Sequence, residues 1–305
     1  MAKTISICNQ KGGVGKTTTS VNLSACLAEA GKRVLVIDID PQANATSGIG
    51  TEKEKIIHSI YHVLIDKTDL ASIILPTKTP NLFIAPADVH LTGAQIELVS
   101  ALNREARLKN SIKKVSESYD YILIDCPPSL GLLTINALTA SESILIPLQC
   151  EYYAMEGLSQ LLHTITLVQE NLNPSLQVEG VVLTMADYRT KLTSEVITEA
   201  REFFKGKVYD AIIPRSIKLS EAPGYGAPIT HYANTSHGAE SYRQLAQELI
   251  NCNSLKTKEL HNDNNQEVAI VTTVAESEKR SPNTDALTGS SLDATEESGG
   301  HDGKA

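Results

Sequence analysis

Short apolar runs recur along the chain and alternate with stretches whose apolar residues return at helical spacing. The runs Thr4-Ile5-Ser6-Ile7-Cys8, Val34-Leu35-Val36-Ile37, Asn81-Leu82-Phe83-Ile84-Ala85-Pro86, Tyr121-Ile122-Leu123-Ile124, Ser143-Ile144-Leu145-Ile146-Pro147 and Val178 to Met185 have strand length and many β-branched members. Runs of this kind, bounded by turn residues or acids, read as buried strands. Helical spacing holds from Thr18 to Leu27, near Ile56 to Ile74, from Arg104 to Glu117, from about Ala154 to Asn171 and from Ala239 to Asn251. Strands alternating with helices predict an α/β fold, with a mostly parallel twisted sheet covered by helices on both faces.

The junction between the first strand and the first helix carries the clearest chemistry. It reads Gln10-Lys11-Gly12-Gly13-Val14-Gly15-Lys16-Thr17-Thr18. A glycine loop between a strand and a helix N-terminus aims backbone N–H groups and the positive helix end at one point, which suits a phosphate chain. Residues 11–18 are thus the expected phosphate cradle: Lys16 would neutralise the β- and γ-phosphates, and the Thr17 hydroxyl would ligate Mg²⁺. The common loop has glycine where this chain has Gln10, and a second lysine, Lys11, stands at the loop's start.

Two further strands end in acids. Val34 to Ile37 continues as Asp38-Ile39-Asp40-Pro41, and alternation puts Asp38 and Asp40 on one side of the chain. Chemistry gathers at the carboxyl ends of strands in open α/β sheets. Asp40 is the candidate for orienting the attacking water, and Asp38 for supporting the Mg²⁺ shell. Turn and strand capping would account equally well for the pair. The strand from Tyr121 closes on Asp125, the expected acid for holding Mg²⁺ directly or through water.

The x-K-G-G-x-G-K-T loop, the run Asp38-Ile39-Asp40-Pro41-Gln42-Ala43-Asn44-Ala45-Thr46-Ser47-Gly48 and Asp125-Cys126-Pro127-Pro128-Ser129-Leu130-Gly131 resemble the deviant P-loop ATPases. That group includes the ParA/Soj partition proteins and the MinD cell-division proteins, and the likeness to ParA/Soj covers about residues 1–250. The resemblance implies a P-loop NTPase fold and Mg²⁺-dependent ATP hydrolysis. In the group, the extra lysine, here Lys11, reaches the nucleotide of the other subunit in an ATP-bound homodimer. No N-K-x-D sequence specifies guanine, and the resemblance favours adenine, with Met185 and Pro214 as base contacts. It further implies non-specific binding of double-stranded DNA, stimulation by a ParB-type centromere-binding partner, and a nucleoid-associated location.

Charge and composition qualify this picture. The 305 residues are 41% apolar, enough for a large core, and no apolar run approaches bilayer length, so the expectation is a cytoplasmic protein without stable membrane association. Net charge is −9, but the segment 185–218 carries seven Lys/Arg against five acids. Solvated helix and loop charges account for that excess on sequence alone. The resemblance turns it into a candidate phosphate-binding face with Arg189, Arg215 and Lys218 as its residues. Five cysteines without a C-x-x-C pair read as reduced core thiols, and His58 and His62, four apart without H-E-x-x-H around them, do not read as a metal site. The expected division is an ATPase domain over 1–252 and a disordered acidic tail over 253–305, in which Val268 to Val274 is the one apolar stretch.

The alternative within the same fold is a MinD-like ATPase that positions the division machinery at a membrane. That function needs a basic amphipathic C-terminal helix, and the tail is acidic. A cluster-bridging electron carrier would need paired cysteines where only Cys126 stands. A non-catalytic nucleotide-dependent scaffold would lack Asp40.

Overall fold

The structure, a computed structural model, describes residues 1–152 and 158–259. Seven strands form one sheet: β1 (Lys3–Ile7), β2 (Val34–Asp38), β3 (Leu75–Pro76), β4 (Leu82–Ala85), β5 (Tyr121–Asp125), β6 (Ser143–Gln149) and β7 (Gln177–Thr184). Their order is β3-β4-β2-β5-β1-β6-β7, and all neighbours are parallel except the two-residue edge strand β3. The helices are α1 (Lys16–Glu29), α2 (Asn44–Gly48), α3 (Ile60–Leu64), α4 (Leu91–Glu97), α5 (Arg107–Ile112), α6 (Leu132–Ala140), α7 (Leu158–Asn171), α8 (Lys191–Phe204), α9 (Ile217–Glu221), α10 (Ile229–Tyr232) and α11 (His237–Glu259).

Every residue of β2, β5 and β6 is buried. This is why these strands read as continuous apolar runs rather than as alternating ones. Alternation instead divides the two faces. Val34, Val36, Leu123 and Leu145 join α1 and α11 in one apolar layer, while Leu35, Ile37, Ile122, Ile124, Ile144 and Ile146 join α6 and α7 in the other.

Two expected helices are broken. Between Ile56 and Ile74 only α3 and a short 3₁₀ turn form, because Lys67 adopts a left-handed backbone (φ 60°) and ends the run. Between Arg104 and Glu117 a 3₁₀ turn precedes α5 and another follows it. There the Asn136 side chain from α6 donates to the Arg104 carbonyl and accepts from Leu108 N–H, a tertiary cap that local spacing does not reveal. Helix α11 runs to Glu259, past the expected boundary at residue 252. The rest of the expected tail, including Val268 to Val274, lies outside the described residues. Cys8, Cys26, Cys126 and Cys150 are buried free thiols, and Cys252 is exposed and free.

Candidate active site

The strand order gathers the motifs. β1 lies between β5 and β6, and β5 lies between β1 and β2, so the loop leaving β1 adjoins both acid-bearing strand ends. Asp125 is in register with Ile7 on one side and with Asp38 on the other. Residues far apart in sequence meet at the C-terminal edge of the sheet.

The loop backbone is bent by Gly13 (φ +76°) and Gly15 (φ +90°), conformations that a side chain would strain. A Cβ built on Gly12 or Gly13 would meet nothing within 4 Å, so the loop borders open space. Gly15 precedes α1, whose N-terminus has no side-chain cap. The unfilled donors of its first turn therefore face the concavity that an anion would occupy. Buried Val14 fixes the loop from below, its carbonyl accepting from the Thr184 hydroxyl at 2.9 Å. Thr18 borders the adjoining cleft.

Lys16 is nearly buried, and its Nζ donates to the Lys11 carbonyl at 3.0 Å. Burial holds its ammonium below the usual lysine range, against the pull of Asp125 and Asp40. Lys11 behaves differently: its side chain is 34% exposed, and its Nζ lies 3.7 Å from Glu151. Gln10, which replaces the usual glycine, reaches Gln160 on α7.

The Asp125 carboxylate accepts from the Thr17 hydroxyl at 2.8 Å and from the Ser20 hydroxyl at 2.7 Å. Thr17 and Ser20 are three apart on α1 and so present both hydroxyls to one strand end. Burial raises the Asp125 carboxyl well above the usual carboxylate range, and the Asp38 charge on the neighbouring strand raises it further. Burial raises Asp38 as well, against three hydrogen bonds that lower it. Those bonds come from Thr46 N–H (2.8 Å), the Thr46 hydroxyl (2.7 Å) and Asp40 N–H (3.1 Å), so Asp38 organises the turn that presents Asp40. Asp40 accepts from Gln42 N–H at 2.9 Å through Oδ1, and Oδ2 has no hydrogen-bond partner among the described residues. One oxygen is thus fixed by the turn.

Among the described residues no group of three or more His, Cys, Asp or Glu side chains could hold a metal ion. The oxygens of Thr17 and Asp125 are nevertheless hard donors of the kind Mg²⁺ accepts when phosphate oxygens and water complete its shell. The donor set fits magnesium brought in with a nucleotide rather than a resident ion.

Beside the loop, a cleft of about 310 Å³ is lined by Gly15, Thr18, Met185, Pro214, Ile217 and Tyr242, among others. Its two walls are joined where Ala186 pairs with Pro214, with Ala186 N–H donating to Ile213 and Arg215 N–H to Ala186. Met185 adopts φ 52°, a strained backbone for a non-glycine residue at the end of β7. The same pairing brings the loops of Arg189 and Arg215 together. Both arginines meet acids: Arg189 binds Asp187 at 2.6 Å and pulls that carboxyl down to about 2, while Arg215 lies 3.4 Å from Glu151. Lys218 is exposed on α9 and makes no ion pair among the described residues.

Sequence reasoning missed Ser20, Thr46, Glu151 and Tyr242. The i, i+3 relation to Thr17 could have signalled Ser20. Thr46 stands within the run from Asp38 to Gly48, where only its two hydrogen bonds to Asp38 reveal a role. Nothing local marks Glu151 or Tyr242, which come from a strand exit and from the C-terminal helix.

A family model described as an AAA domain matches residues 2–178. The chain is 59% identical over 249 residues to the sporulation initiation inhibitor protein Soj of Bacillus subtilis (strain 168), covering 82% of this chain and 98% of that protein. To the chromosome-partitioning ATPase Soj of Treponema pallidum (strain Nichols) it is 48% identical over 250 residues, covering 82% and 98%. Among solved structures it resembles cobyrinic acid a,c-diamide synthase from Mycobacterium smegmatis with bound ATP analogue and magnesium, with TM-score 0.73, 35% identity and coverage of 82% and 95%. It also resembles the cell division ATPase MinD of Pyrococcus furiosus, with TM-score 0.68, 26% identity and coverage of 83% and 100%. With its phosphate loop intact and its likeness to Soj running through nearly the whole of that protein, this chain is an ATPase and belongs to the Soj/ParA family of chromosome-partitioning proteins.

Proposed function

We propose that this ATPase is a nucleotide-gated partition switch. It binds Mg²⁺-ATP at residues 11–18, pairs with a second copy around two nucleotides, and in that state holds duplex DNA without reading its sequence. A ParB-type centromere-binding partner stimulates hydrolysis and so releases the DNA, which makes the protein nucleoid-associated while ATP is bound. The carrying observation is the contrast between the two lysines: Lys16 is buried against its own loop, whereas Lys11 points out of it toward Glu151. A cation outside a complete cradle is available to a second site.

When bound, Mg²⁺-ATP supplies the γ-phosphoryl group and neutralises the charge that develops in transfer. The chain's residues do the rest by positioning. The N–H groups of Gly13 to Thr18 and the Lys16 ammonium hold the phosphates, and Thr17 with Asp125 would hold the metal. Asp40, fixed through Oδ1, accepts a proton-bearing contact from water at Oδ2 and orients it for attack. Met185 and Pro214 enclose the base in the cleft beside Gly15. Arg189, Arg215 and Lys218 contact DNA phosphates.

Two measurements test the reading. Phosphate release is expected to rise with duplex DNA and a ParB-type partner and to be indifferent to anionic vesicles; stimulation by vesicles alone would favour the MinD-like membrane function instead. Sedimentation with saturating Mg²⁺-ATP is expected to show dimers for the parent and monomers for Lys11→Ala. Normal dimers in that variant would remove the trans role of Lys11.

A further inference from the structure

Asn9 is 2% exposed and sits between the end of β1 and the loop, in no motif the chemistry uses. Its surroundings follow from how the sheet ends. The last backbone rung between β1 and β6 is Cys8 N–H to the Leu145 carbonyl, at 3.1 Å. Two residues on, the Pro147 carbonyl faces the same way, past the end of β1, where no backbone donor remains. Proline itself offers no N–H, so a reciprocal rung cannot form there. The Asn9 side chain takes over: its Nδ2 donates to the Pro147 carbonyl at 2.8 Å. A buried carbonyl is thereby satisfied by the residue that opens the phosphate loop.

The other end of the same amide acts on Lys11. Asn9 Oδ1 accepts from Lys11 N–H at 3.0 Å, a local turn bond two residues long. That bond fixes the Gln10–Lys11 peptide, and the next peptide is held where the Lys11 carbonyl receives Lys16 Nζ, so the Lys11 backbone is held on both sides of its Cα. From the far side, Glu151, just beyond the end of β6, meets Lys11 Nζ. Both backbone and side chain of Lys11 are thus referenced to the exit of β6.

We infer that Asn9 is a positioning residue for Lys11: its buried bridge from the Pro147 carbonyl to Lys11 N–H sets the direction in which this lysine leaves the loop, and so the ability of one protomer to reach the nucleotide of the other. The inference rests on the proposed trans role of Lys11. Lys16 depends on the bridge less, because bound phosphates replace its contact with the Lys11 carbonyl, whereas Lys11 must find a distant group from a fixed starting direction.

The test compares Asn9→Ala, Asn9→Ser and Lys11→Ala with the parent in two assays: titration with a fluorescent ATP analogue at protein concentrations too low for dimers, and sedimentation over a protein series in saturating Mg²⁺-ATP. For Asn9→Ala the dimer dissociation constant is expected to rise about tenfold or more, because association must then order Lys11 in both protomers, while nucleotide affinity changes less than about threefold. Asn9→Ser keeps an acceptor for Lys11 N–H and is expected to fall between parent and Asn9→Ala. Parental dimers in Asn9→Ala beside failed dimers in Lys11→Ala would overturn the inference alone. A loss of nucleotide affinity as large as the loss of dimers would overturn it too, since Asn9 would then only support the phosphate loop. Normal dimers in Lys11→Ala would overturn the trans role and this inference with it.

Discussion

The phosphate-loop end of the sheet and the basic segment 185–218 are neighbours that use charge in opposite ways. At the loop, Lys16, Asp38 and Asp125 are buried, and each is tied by hydrogen bonds: Lys16 donates to the Lys11 carbonyl, and the two carboxylates accept from groups near and far in sequence. In the basic segment most of the cations are exposed, and Arg189 lies on Asp187, Arg201 on Asp210 and Arg215 on Glu151. Buried, desolvated pairs fix geometry, and breaking one leaves a charge without solvent. Exposed pairs are screened and typically contribute about 0–1 kcal/mol. Positive charge at the segment is therefore easily redirected, from a local carboxylate to a phosphate, at little structural cost. A count of seven basic residues against five acids also overstates the free field, since Glu151, from outside the segment, takes part of it.

The largest effect is expected where the buried end meets substrate. Asp40→Ala should lower turnover by a factor on the order of 10² or more while ATP binding and the ATP dimer persist, as read by phosphate release beside sedimentation. Unchanged turnover would return Asp40 to turn capping, the role its bond to Gln42 already serves.

Next comes Ser20→Ala, which removes one of the two hydroxyls on the buried Asp125 carboxylate. Leaving a buried acceptor unpaired costs about 1–3 kcal/mol, and a fall of several degrees in melting temperature is expected without nucleotide. No change in melting would mean that this end of the sheet tolerates loss of a partner as an exposed pair does, and the contrast between the regions would collapse.

The smallest effect on the fold belongs to the double charge reversal Arg189→Glu with Lys218→Glu. Melting temperature should stay close to that of the parent, since exposed pairs are screened by solvent, and ATP-dependent dimers should remain. Gel-shift measurements at low salt are expected to show DNA binding largely lost, with the dependence of log affinity on log salt for what remains flattened by about four, two contacts from each protomer of the dimer. Parental DNA binding would place the interface elsewhere on the surface.

Much of this molecule is legible in local pattern. The phosphate loop, the strand-end acids Asp38, Asp40 and Asp125, and six of the seven strands follow from apolar runs and their punctuation, because a parallel strand covered on both faces is largely apolar. Six of the described helices fall outside the predicted helical stretches, among them α2, α9 and α10 of four or five residues each. α4 and α6 are short, and α8 has Val196, Ala200 and Phe204 on a buried stripe that its surface charges obscured. The breaks around α3 and α5 escaped for another reason: they depend on one left-handed residue and on an amide from a different helix.

By itself the sequence determined which groups stand together on the loop between β1 and α1, since a glycine loop between strand and helix has few ways to fold and its chemistry is written in consecutive residues. Only tertiary structure decided how those groups are tuned. The order β2-β5-β1 sets Asp38 beside Asp125, so that burial and mutual charge raise both. The exit of β6 brings Glu151 to Lys11 and Arg215 at once. Such juxtapositions depend on which strands are neighbours, and strand order arises from packing over the whole chain, a non-local quantity that no window of residues contains.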